Sequence, residues 1–148
     1  MFSIGLFAII FDEEKVLLCH RTEYNFWALP GGGLEKGETP WEGVIREVKE
    51  ETGLDVEVIR LVDVSSKPHE DNIGFTFLCK VLGGQVIAGD FVDTAKFFAT
   101  SEFPKNTSPR HVERIEGVLD KMRKEDEEVI LRAQRGKSAY QLVEEGLL

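Results

Sequence analysis

The stretch GGGLEKGETPWEGVIREVKEETGL, residues 31–54, decides how this 148-residue chain is interpreted. It places three consecutive glycines shortly before a segment with helical signals. Thr39 suits the N-cap position, Pro40 suits the first helical turn, and Gly53 suits the C-terminal stop. The stretch is therefore predicted to form a glycine-rich loop followed by a helix over about residues 40–52.

The predicted helix has one acidic and one apolar face. Side chains three or four residues apart lie together on a helix, so Glu47, Glu50 and Glu51 form a cluster of carboxylates. The apolar face, which we expect to pack against a sheet, consists of Trp41, Val44, Ile45 and Val48.

Three neighbouring carboxylates repel one another, and a hard divalent cation relieves that repulsion. Mg²⁺ and Mn²⁺ prefer oxygen ligands and bridge carboxylates to phosphate oxygens. Without a Cβ atom, the backbone at Gly31, Gly32 and Gly33 can approach a phosphate or offer a carbonyl to a metal. The loop lacks the final Gly-Lys-Ser/Thr of a Walker A loop. Two interpretations stay open from these residues alone: a solvated acidic helix, or a metal site acting on a phosphate ester or anhydride.

The composition narrows the possible partners. With 27 acidic and 18 basic residues, the net charge of −9 disfavours non-specific binding to nucleic acid or to an anionic membrane. Cys19 and Cys79 lack metal-binding spacing and are expected to be buried, reduced thiols. The apolar opening MFSIGLFAIIF is too short to span a bilayer and has no basic region before it, so we predict a first strand and a cytoplasmic protein.

The rest of the chain predicts a single α+β domain over residues 1–148, with helices on both sides of a sheet. Strands are predicted over residues 3–11, 15–21, 55–66, 72–84 and 91–99. A helix is predicted to begin at Thr107 or Ser108, with Val112, Ile115, Leu119 and Met122 on one face. From about residue 124 a helical tail is expected, with helices over residues 126–135 and 138–148. That tail would pack on the domain or form a homodimer contact.

The spacing between the glycine, glutamate and arginine residues of the opening stretch is more informative than any of these residues alone. Five residues separate Gly32 from Glu38, and seven more precede Arg46. The stretch then continues REVKEETGL, with Val48 and Leu54 at two aliphatic positions. This pattern resembles the signature of the Nudix hydrolase family, G-x5-E-x7-R-E-U-x-E-E-x-G-U with U a bulky aliphatic residue, at every fixed position. The flanking WALPGG and FFATSEFP segments are also similar to the family.

The resemblance covers about residues 4–120 and implies a Nudix-like α/β/α sandwich around a mixed β-sheet. It also implies Mg²⁺-dependent hydrolysis, with Mn²⁺ as a substitute, of a nucleoside diphosphate linked to another group X, by attack of water on phosphorus. A nucleoside triphosphate, ADP-ribose and a nucleotide sugar all stay open as substrates. The implied metal ligands are Glu47, Glu50, Glu51 and the backbone carbonyl of Gly31.

Further roles follow from the resemblance position by position. Arg46 corresponds to the arginine that orients the carboxylates, and Glu38 to a structural glutamate. The general base is left open: Glu50 is preferred within the signature, and the candidates outside it are Asp93, Asp90 and Glu70. The predicted substrate contacts are Arg21, Trp27, Gly32 and Gly33, although Arg21 would also suit a surface ion pair and Trp27 a core position.

Two other functions are alternatives to the hydrolase. Isopentenyl diphosphate isomerases share the architecture but need a catalytic cysteine, for which Cys19 and Cys79 have no evident placement. A non-catalytic domain that senses a nucleotide or ADP-ribose is the alternative with the same fold, but such domains usually lack a complete signature. Pro68, about fifteen residues past the signature, accompanies ADP-ribose as substrate in some members of the family. His69 and His111 are predicted at the surface, and His20 is predicted to be structural.

Overall fold

The computed structural model describes residues 1–87, 89 and 91–148. Asp90, one of the candidate bases, therefore lies outside the described residues. The described chain forms eight strands, three α-helices and a short 3₁₀ turn at Pro68–Glu70. The strands are β1 (Ser3–Asp12), β2 (Lys15–Arg21), β3 (Phe26–Ala28), β4 (Gly31–Gly33), β5 (Leu54–Lys67), β6 (Asn72–Gly84), β7 (Val92–Ala99) and β8 (Ile130–Ala133). The helices are α1 (Pro40–Thr52), α2 (Pro109–Arg123) and α3 (Ala139–Glu144).

The strands form one mixed sheet in the order β3-β2-β1-β6-β5-β8, with β4 added to β1 and β7 added to β2. The β1–β6 and β5–β8 pairs are parallel, and the other pairs are antiparallel. The five strands predicted from the sequence are all present. The glycine run predicted as a loop is instead the short strand β4, because its backbone pairs with Gly5–Phe7 of β1.

Strand β1 divides the core between the two long helices. Its side chains alternate between the two faces of the sheet. Leu6 packs with Val44 and Val48 of α1 on one face, whereas Ile9 packs with Ile115 of α2 on the other. Since both faces of the sheet are covered by a helix, the predicted α/β/α sandwich around a mixed sheet is confirmed.

Helix α1 has the predicted bounds, but its apolar face is narrower than predicted. Val44 and Val48 are fully buried, whereas Trp41 and Ile45 are 55% and 36% exposed. Trp41 lies in the first turn of the helix. Packing of all four residues against the sheet was therefore a wrong prediction for Trp41 and Ile45.

The tail after α2 differs from the predicted pair of helices. Residues 130–133 form β8, which extends the sheet by pairing in parallel with Asp63–Ser66 of β5. The open edge of β5 provides backbone partners that override the helical propensity of this segment. The second helix is present as α3, and it packs on Phe26 and Ala28 through Ala139 and Val143. A homodimer contact by the tail stays a prediction. In the described part of the chain, no helix is both long and apolar enough to cross a membrane.

Candidate active site

Helix α1 has defined caps, which set the directions of its glutamates. At its start, the Thr39 hydroxyl accepts a hydrogen bond from the Glu42 N–H at 3.2 Å, and the Glu42 carboxylate accepts one from the Thr39 N–H at 3.1 Å. This reciprocal pair is a capping box. At its end, Gly53 has a φ of 80° and donates its N–H to the Lys49 carbonyl. The helical turns that carry the predicted ligands are therefore held at both ends.

Arg46 organises the outer side of the carboxylate cluster. Its Nε and Nη2 donate hydrogen bonds to the two carboxylate oxygens of Glu38 at 2.9 and 2.7 Å. Its Nη1 donates to Glu47 at 3.1 Å and to Glu50 at 3.2 Å. The hydrogen bonds from Arg46 lower the pKa of Glu38 to about 2. Arg46 thus makes the salt bridges that the resemblance implies, and Glu38 anchors its guanidinium.

Glu51 is held on the inner side of the cluster. Arg21 Nη1 donates to Glu51 Oε1 at 2.7 Å, and the Gly31 N–H donates to Glu51 Oε2 at 3.0 Å. Burial raises the pKa of Glu51, the charge of Glu47 adds to that rise, and Arg21 and Gly31 oppose it. Arg21 therefore forms an ion pair, but with a buried carboxylate at the site and not at the protein surface.

Two glycines of β4 make this close arrangement possible. A β-carbon on Gly31 would lie 2.0 Å from a backbone oxygen of β1, and one on Gly32 would lie 2.6 Å from the Glu47 carboxylate. A side chain at Gly31 would displace β4 from β1, and one at Gly32 would displace the Glu47 carboxylate from its place in the site. Gly33 has a different part in the site, because its carbonyl accepts a hydrogen bond from Arg46 Nη2 at 3.2 Å.

These groups line a cavity of about 430 Å³, which we call the acidic cavity. Its described wall contains five glutamates and two arginines. The wall is formed by Arg21, Glu23, Tyr24, Gly31, Gly32, Glu35, Arg46, Glu47, Glu50, Glu51, Phe91 and Tyr140. Because like charges repel, an anionic ligand could enter this cavity only together with cations.

The donors of the acidic cavity suit a hard divalent cation. Carboxylate and carbonyl oxygens are the ligands that Mg²⁺ and Mn²⁺ prefer. Burial raises the pKa of Glu47 despite its bond from Arg46, and the charge of Glu50 adds to that rise. Among the described residues, no three acidic, histidine or cysteine side chains already converge at metal-binding spacing. Arg46 binds Glu47 and Arg21 binds Glu51, so a cation would compete with these arginines for the carboxylate oxygens.

A second cavity of about 400 Å³ adjoins the first and shares Arg21, Gly31, Gly32 and Tyr140 with it. We call it the basic cavity, because four of the five ionised side chains in its described wall are cations. These are Arg21, Lys67, Arg110 and Arg114, with Glu70 as the acid; its aromatic walls are Phe7, Phe26, His111 and Tyr140. The two cavities therefore meet at β4 and have walls of opposite charge.

The C-terminal helix α3 contributes to both cavities through Tyr140. Its ring lies edge-on against Tyr24 and Phe26, with centroid distances of 4.7 and 5.0 Å. This contribution is not predictable from the resemblance, which ends near residue 120. The available signal was an aromatic residue within an otherwise ordinary amphipathic tail, which does not by itself indicate a distant contact.

Trp27 lies away from both cavities. Neighbouring residues of a strand point to opposite faces, so on β3 Phe26 faces the basic cavity and α3, whereas Trp27 faces the core under α2. The Trp27 ring packs edge-on against Phe98 at 5.0 Å. The structure thus places the half-buried Trp27 against the core and Phe26 on the cavity wall, and a substrate contact of Trp27 stays a prediction.

The candidate bases lie in three different surroundings. Glu50, whose side chain is 42% exposed, lines the acidic cavity and accepts one hydrogen bond from Arg46. Asp93 pairs with His20 Nδ1 at 2.8 Å on the β2–β7 surface. Glu70 accepts from Arg110 at 2.7 Å in the basic cavity. Only Glu50 of these three therefore shares a cavity with the other signature glutamates.

The histidines divide between structural and cavity positions. His20 bonds to Asp93 and Asn25, both at 2.8 Å; burial works against its protonation, but these two hydrogen bonds raise its pKa overall. His69 is exposed, as predicted. The surface prediction for His111 was wrong, because α2 turns it inward. Its ring packs edge-on against Phe7 at 4.7 Å and lines the basic cavity.

The α/β/α sandwich and the loop–helix glutamate site define the class of protein. The model of the NUDIX domain matches residues 1–120, and the chain belongs to this family. An ADP-ribose pyrophosphatase of Methanocaldococcus jannaschii is 41% identical over 110 residues, which cover 70% of this chain and 65% of that relative.

Solved structures share the fold. The crystal structure of an ADP-ribose pyrophosphatase from Streptococcus suis has a TM-score of 0.75 and 30% identity, covering 90% of this chain and 100% of that one. A NUDIX hydrolase from Nitrosomonas europaea has a TM-score of 0.83 and 26% identity, covering 90% and 79%. The similarity therefore extends beyond the signature to most of the sandwich.

Proposed function

We propose that this protein is a Mg²⁺-dependent pyrophosphohydrolase, with Mn²⁺ as a substitute, that cleaves a nucleoside diphosphate linked to another group X. The observation that carries the proposal is the acidic cavity, in which Glu47, Glu50 and Glu51 lie together with Gly31 and Gly32. A cavity with this excess of carboxylates requires cations before it can accept a diphosphate.

Each residue of the site would have a distinct role. Glu47, Glu51 and the Gly31 carbonyl would hold the cations, with Glu50 completing the set. Bound Mg²⁺ ions would neutralise the diphosphate, stabilise the developing charge and lower the pKa of the attacking water. Arg46 would keep the carboxylates oriented, as a positioning residue. Arg21 lies on the walls of both cavities and would meet the diphosphate where they join.

Glu50 is the general base that we favour. A base must reach the proton of the attacking water, so it must lie within the cavity that holds the diphosphate. Glu50 meets this requirement and is the most exposed of the three signature glutamates. Asp93 and Glu70 are each engaged by a basic partner outside the acidic cavity.

The substrate that we place first is ADP-ribose. The two relatives described above as ADP-ribose pyrophosphatases support it, and so does Pro68, which begins the 3₁₀ turn that brings Glu70 to the basic cavity. Nucleoside triphosphates and nucleotide sugars belong in the same test. The two unpaired thiols, both buried, suit a reducing compartment and support the predicted cytoplasmic location.

The isomerase alternative needs a reactive thiolate, and the described cysteines do not favour one. Burial raises the pKa of Cys79 to about 12 and raises that of Cys19 further. Neither cysteine lies on the wall of either cavity as described. A thiol that stays protonated in the core is a poor nucleophile or acid for chemistry on a bound substrate.

An assay of the purified protein with Mg²⁺ tests the proposal. The panel contains nucleoside triphosphates, ADP-ribose and nucleotide sugars, and the reaction is run in ¹⁸O-labelled water. We expect a nucleoside monophosphate among the products, with ¹⁸O in a phosphate group because water attacks phosphorus. Tight binding of one compound without hydrolysis of any would favour the sensing domain, and label in the sugar alone would contradict attack on phosphorus.

A further inference from the structure

The basic cavity contains two buried cations that make no salt bridge to any acid of the described chain. Lys67, at the end of β5, is 8% exposed, and Arg114, on α2, is fully buried. Within the described residues, Lys67 makes no salt bridge, and Arg114 donates only to the neutral amide oxygen of Gln134, at 3.2 and 2.9 Å. This is unexpected in a chain with a net charge of −9.

One N–H donor group of Arg114 is unsatisfied in the described wall of the basic cavity. Its Nη1 is buried and has no hydrogen-bond acceptor in the described structure. Gly74 on β6 leaves room for the guanidinium, since a β-carbon there would lie 3.3 Å from Nη2. Lys67 Nζ and Arg114 Cζ lie 5.8 and 4.9 Å from the centre of the same Phe7 ring. A cation–π contact compensates only part of the cost of burying a charge.

The other charges of the basic cavity are already paired. Arg110 binds Glu70 and Arg21 binds Glu51, each at 2.7 Å. His111 Nδ1 accepts a hydrogen bond from a backbone N–H at 3.0 Å, so in its neutral form the ring carries its proton on Nε2. The unpaired groups of this cavity are therefore the Lys67 and Arg114 cations. Their N–H donors need a ligand rich in hydrogen-bond acceptors.

The charge of that ligand follows from the number of unpaired cations, which is two. A carboxylate would neutralise one of the two cations and leave the other buried. A phosphomonoester carries a charge of about −1.5 to −2 at neutral pH and three acceptor oxygens, so it matches both Lys67 and Arg114.

We propose that the basic cavity binds a phosphomonoester of the substrate, separate from the diphosphate that is cleaved. This inference rests on the proposed function, because the shared wall at Arg21, Gly31, Gly32 and Tyr140 would let one ligand occupy both cavities. The preferred substrate class is then a nucleoside diphosphate derivative that carries an additional phosphate. ADP-ribose, which the relatives place first, lacks that phosphate and should be a weaker substrate than a phosphorylated derivative of it.

Calorimetric binding of ribose 5-phosphate, measured in EDTA to keep the acidic cavity free of metal, tests the site without catalysis. We expect binding of ribose 5-phosphate, no binding of ribose, and binding of the carboxylate glucuronate at least tenfold weaker than that of the phosphate. The Lys67→Met variant should lose at least tenfold in affinity for ribose 5-phosphate. Lys80→Met, the same change at an exposed lysine of β6, should bind like the wild type.

A second readout separates ligand binding from a structural role of Lys67. Since a buried cation without a partner destabilises the free protein, Lys67→Met should melt no lower than the wild type. Lys67→Gln is measured in parallel as a polar replacement. Equal affinity of wild type and both variants for ribose 5-phosphate would overturn the proposal, and so would glucuronate binding as tightly as the phosphate.

Kinetics distinguish failure of this inference from failure of the proposed function. We compare kcat/KM for ADP-ribose with that for its 2′-phosphate, and for 3′-dephospho-coenzyme A with that for coenzyme A. A preference of at least tenfold for a phosphorylated member, lost in Lys67→Met, supports the inference. Hydrolysis without any such preference would overturn it and leave the hydrolase intact. Lys67-dependent binding of ribose 5-phosphate with no hydrolysis would support the phosphate site and contradict the hydrolase.

Discussion

The acidic and basic cavities meet at β4 but are built in different ways. The acidic cavity takes its three signature glutamates from one helix that directly follows the glycine run. The basic cavity takes Lys67 from β5, Arg114 from α2 and Tyr140 from α3, which are far apart in the sequence. The first arrangement suits chemistry that every substrate shares, and the second suits recognition of the part that differs between substrates.

The largest effect is expected from a substitution in the acidic cavity. Glu47→Gln keeps the shape of the side chain beside Gly32 but removes a charge that the cations need. We expect kcat/KM to fall by about 10²–10³, the loss typical for removing one preorganised electrostatic group from an active site. Glu57→Gln, the same change at an exposed position of β5, is the control and should leave kcat/KM unchanged.

The pH dependence of ribose 5-phosphate binding tests the role of the basic cavity. Burial, reinforced by Arg114 and Arg110 and opposed by Glu70, lowers the pKa of Lys67 to about 8. Above that pH the free protein must take up a proton to bind a phosphomonoester, which is already a dianion. The affinity for ribose 5-phosphate should therefore fall by up to about tenfold per pH unit above pH 8. In Lys67→Met this part of the pH dependence should disappear.

The same pKa shift has a consequence for folding. Because the pKa of Lys67 is lower in the folded than in the unfolded protein, its neutral form favours folding. The contribution of Lys67 to the free energy of unfolding should therefore rise as pH increases from about 8 toward the unfolded pKa of about 10.4. Denaturant titrations of the wild type and Lys67→Met at pH 7 and pH 10 measure this difference.

A smaller effect is expected where the two cavities join. Tyr140→Ala removes the ring that packs edge-on against Tyr24 and Phe26. Such contacts within the protein are worth about 0.5–1.5 kcal/mol each, so the variant should be less stable. Because Tyr140 lines both cavities, we also expect KM to rise with little change in kcat. Leu147→Ala, at an exposed position of the same tail, is the matched control. A loss in kcat with KM unchanged would contradict a role in binding.

The smallest effect should come from Asp93→Asn. Asp93 pairs with His20 away from the acidic cavity wall, so we expect kcat/KM within about twofold of the wild type. Glu50→Gln should show a far larger loss under the same conditions. The reverse ranking of these two variants would move the general base from α1 to β7.

The sequence predicted the acidic cavity well, because its chemistry is local. Thr39, Pro40 and Gly53 define one helix, and helical spacing brings its glutamates together. The basic cavity could not be predicted in this way, since no short segment contains both Lys67 and Arg114. The tail was misread at β8 because the open edge of β5, a feature of the assembled sheet, decides its conformation.

The sequence also does not predict which face of the sheet a side chain on a short strand occupies. Phe26 and Trp27 are adjacent and both aromatic, so composition alone does not distinguish cavity wall from core. Pairing of β3 with β2 places Phe26 under α3 and Trp27 under α2. A similar limit applied to His111, which was assigned to the surface because no ligand-spaced partner accompanies it in the sequence.

The metal dependence of hydrolysis in the wild type and Glu51→Gln tests the central claim most directly. Glu51 joins Arg21, Gly31 and the other signature glutamates in one cavity, and Gln keeps its shape without its charge. We predict no activity in EDTA, recovery on addition of Mg²⁺, and a folded Glu51→Gln variant with a large loss of rate and a half-maximal Mg²⁺ concentration raised at least tenfold. Full wild-type activity in EDTA, or the same rate and Mg²⁺ dependence in Glu51→Gln, would contradict the assignment of the α1 glutamates as metal ligands.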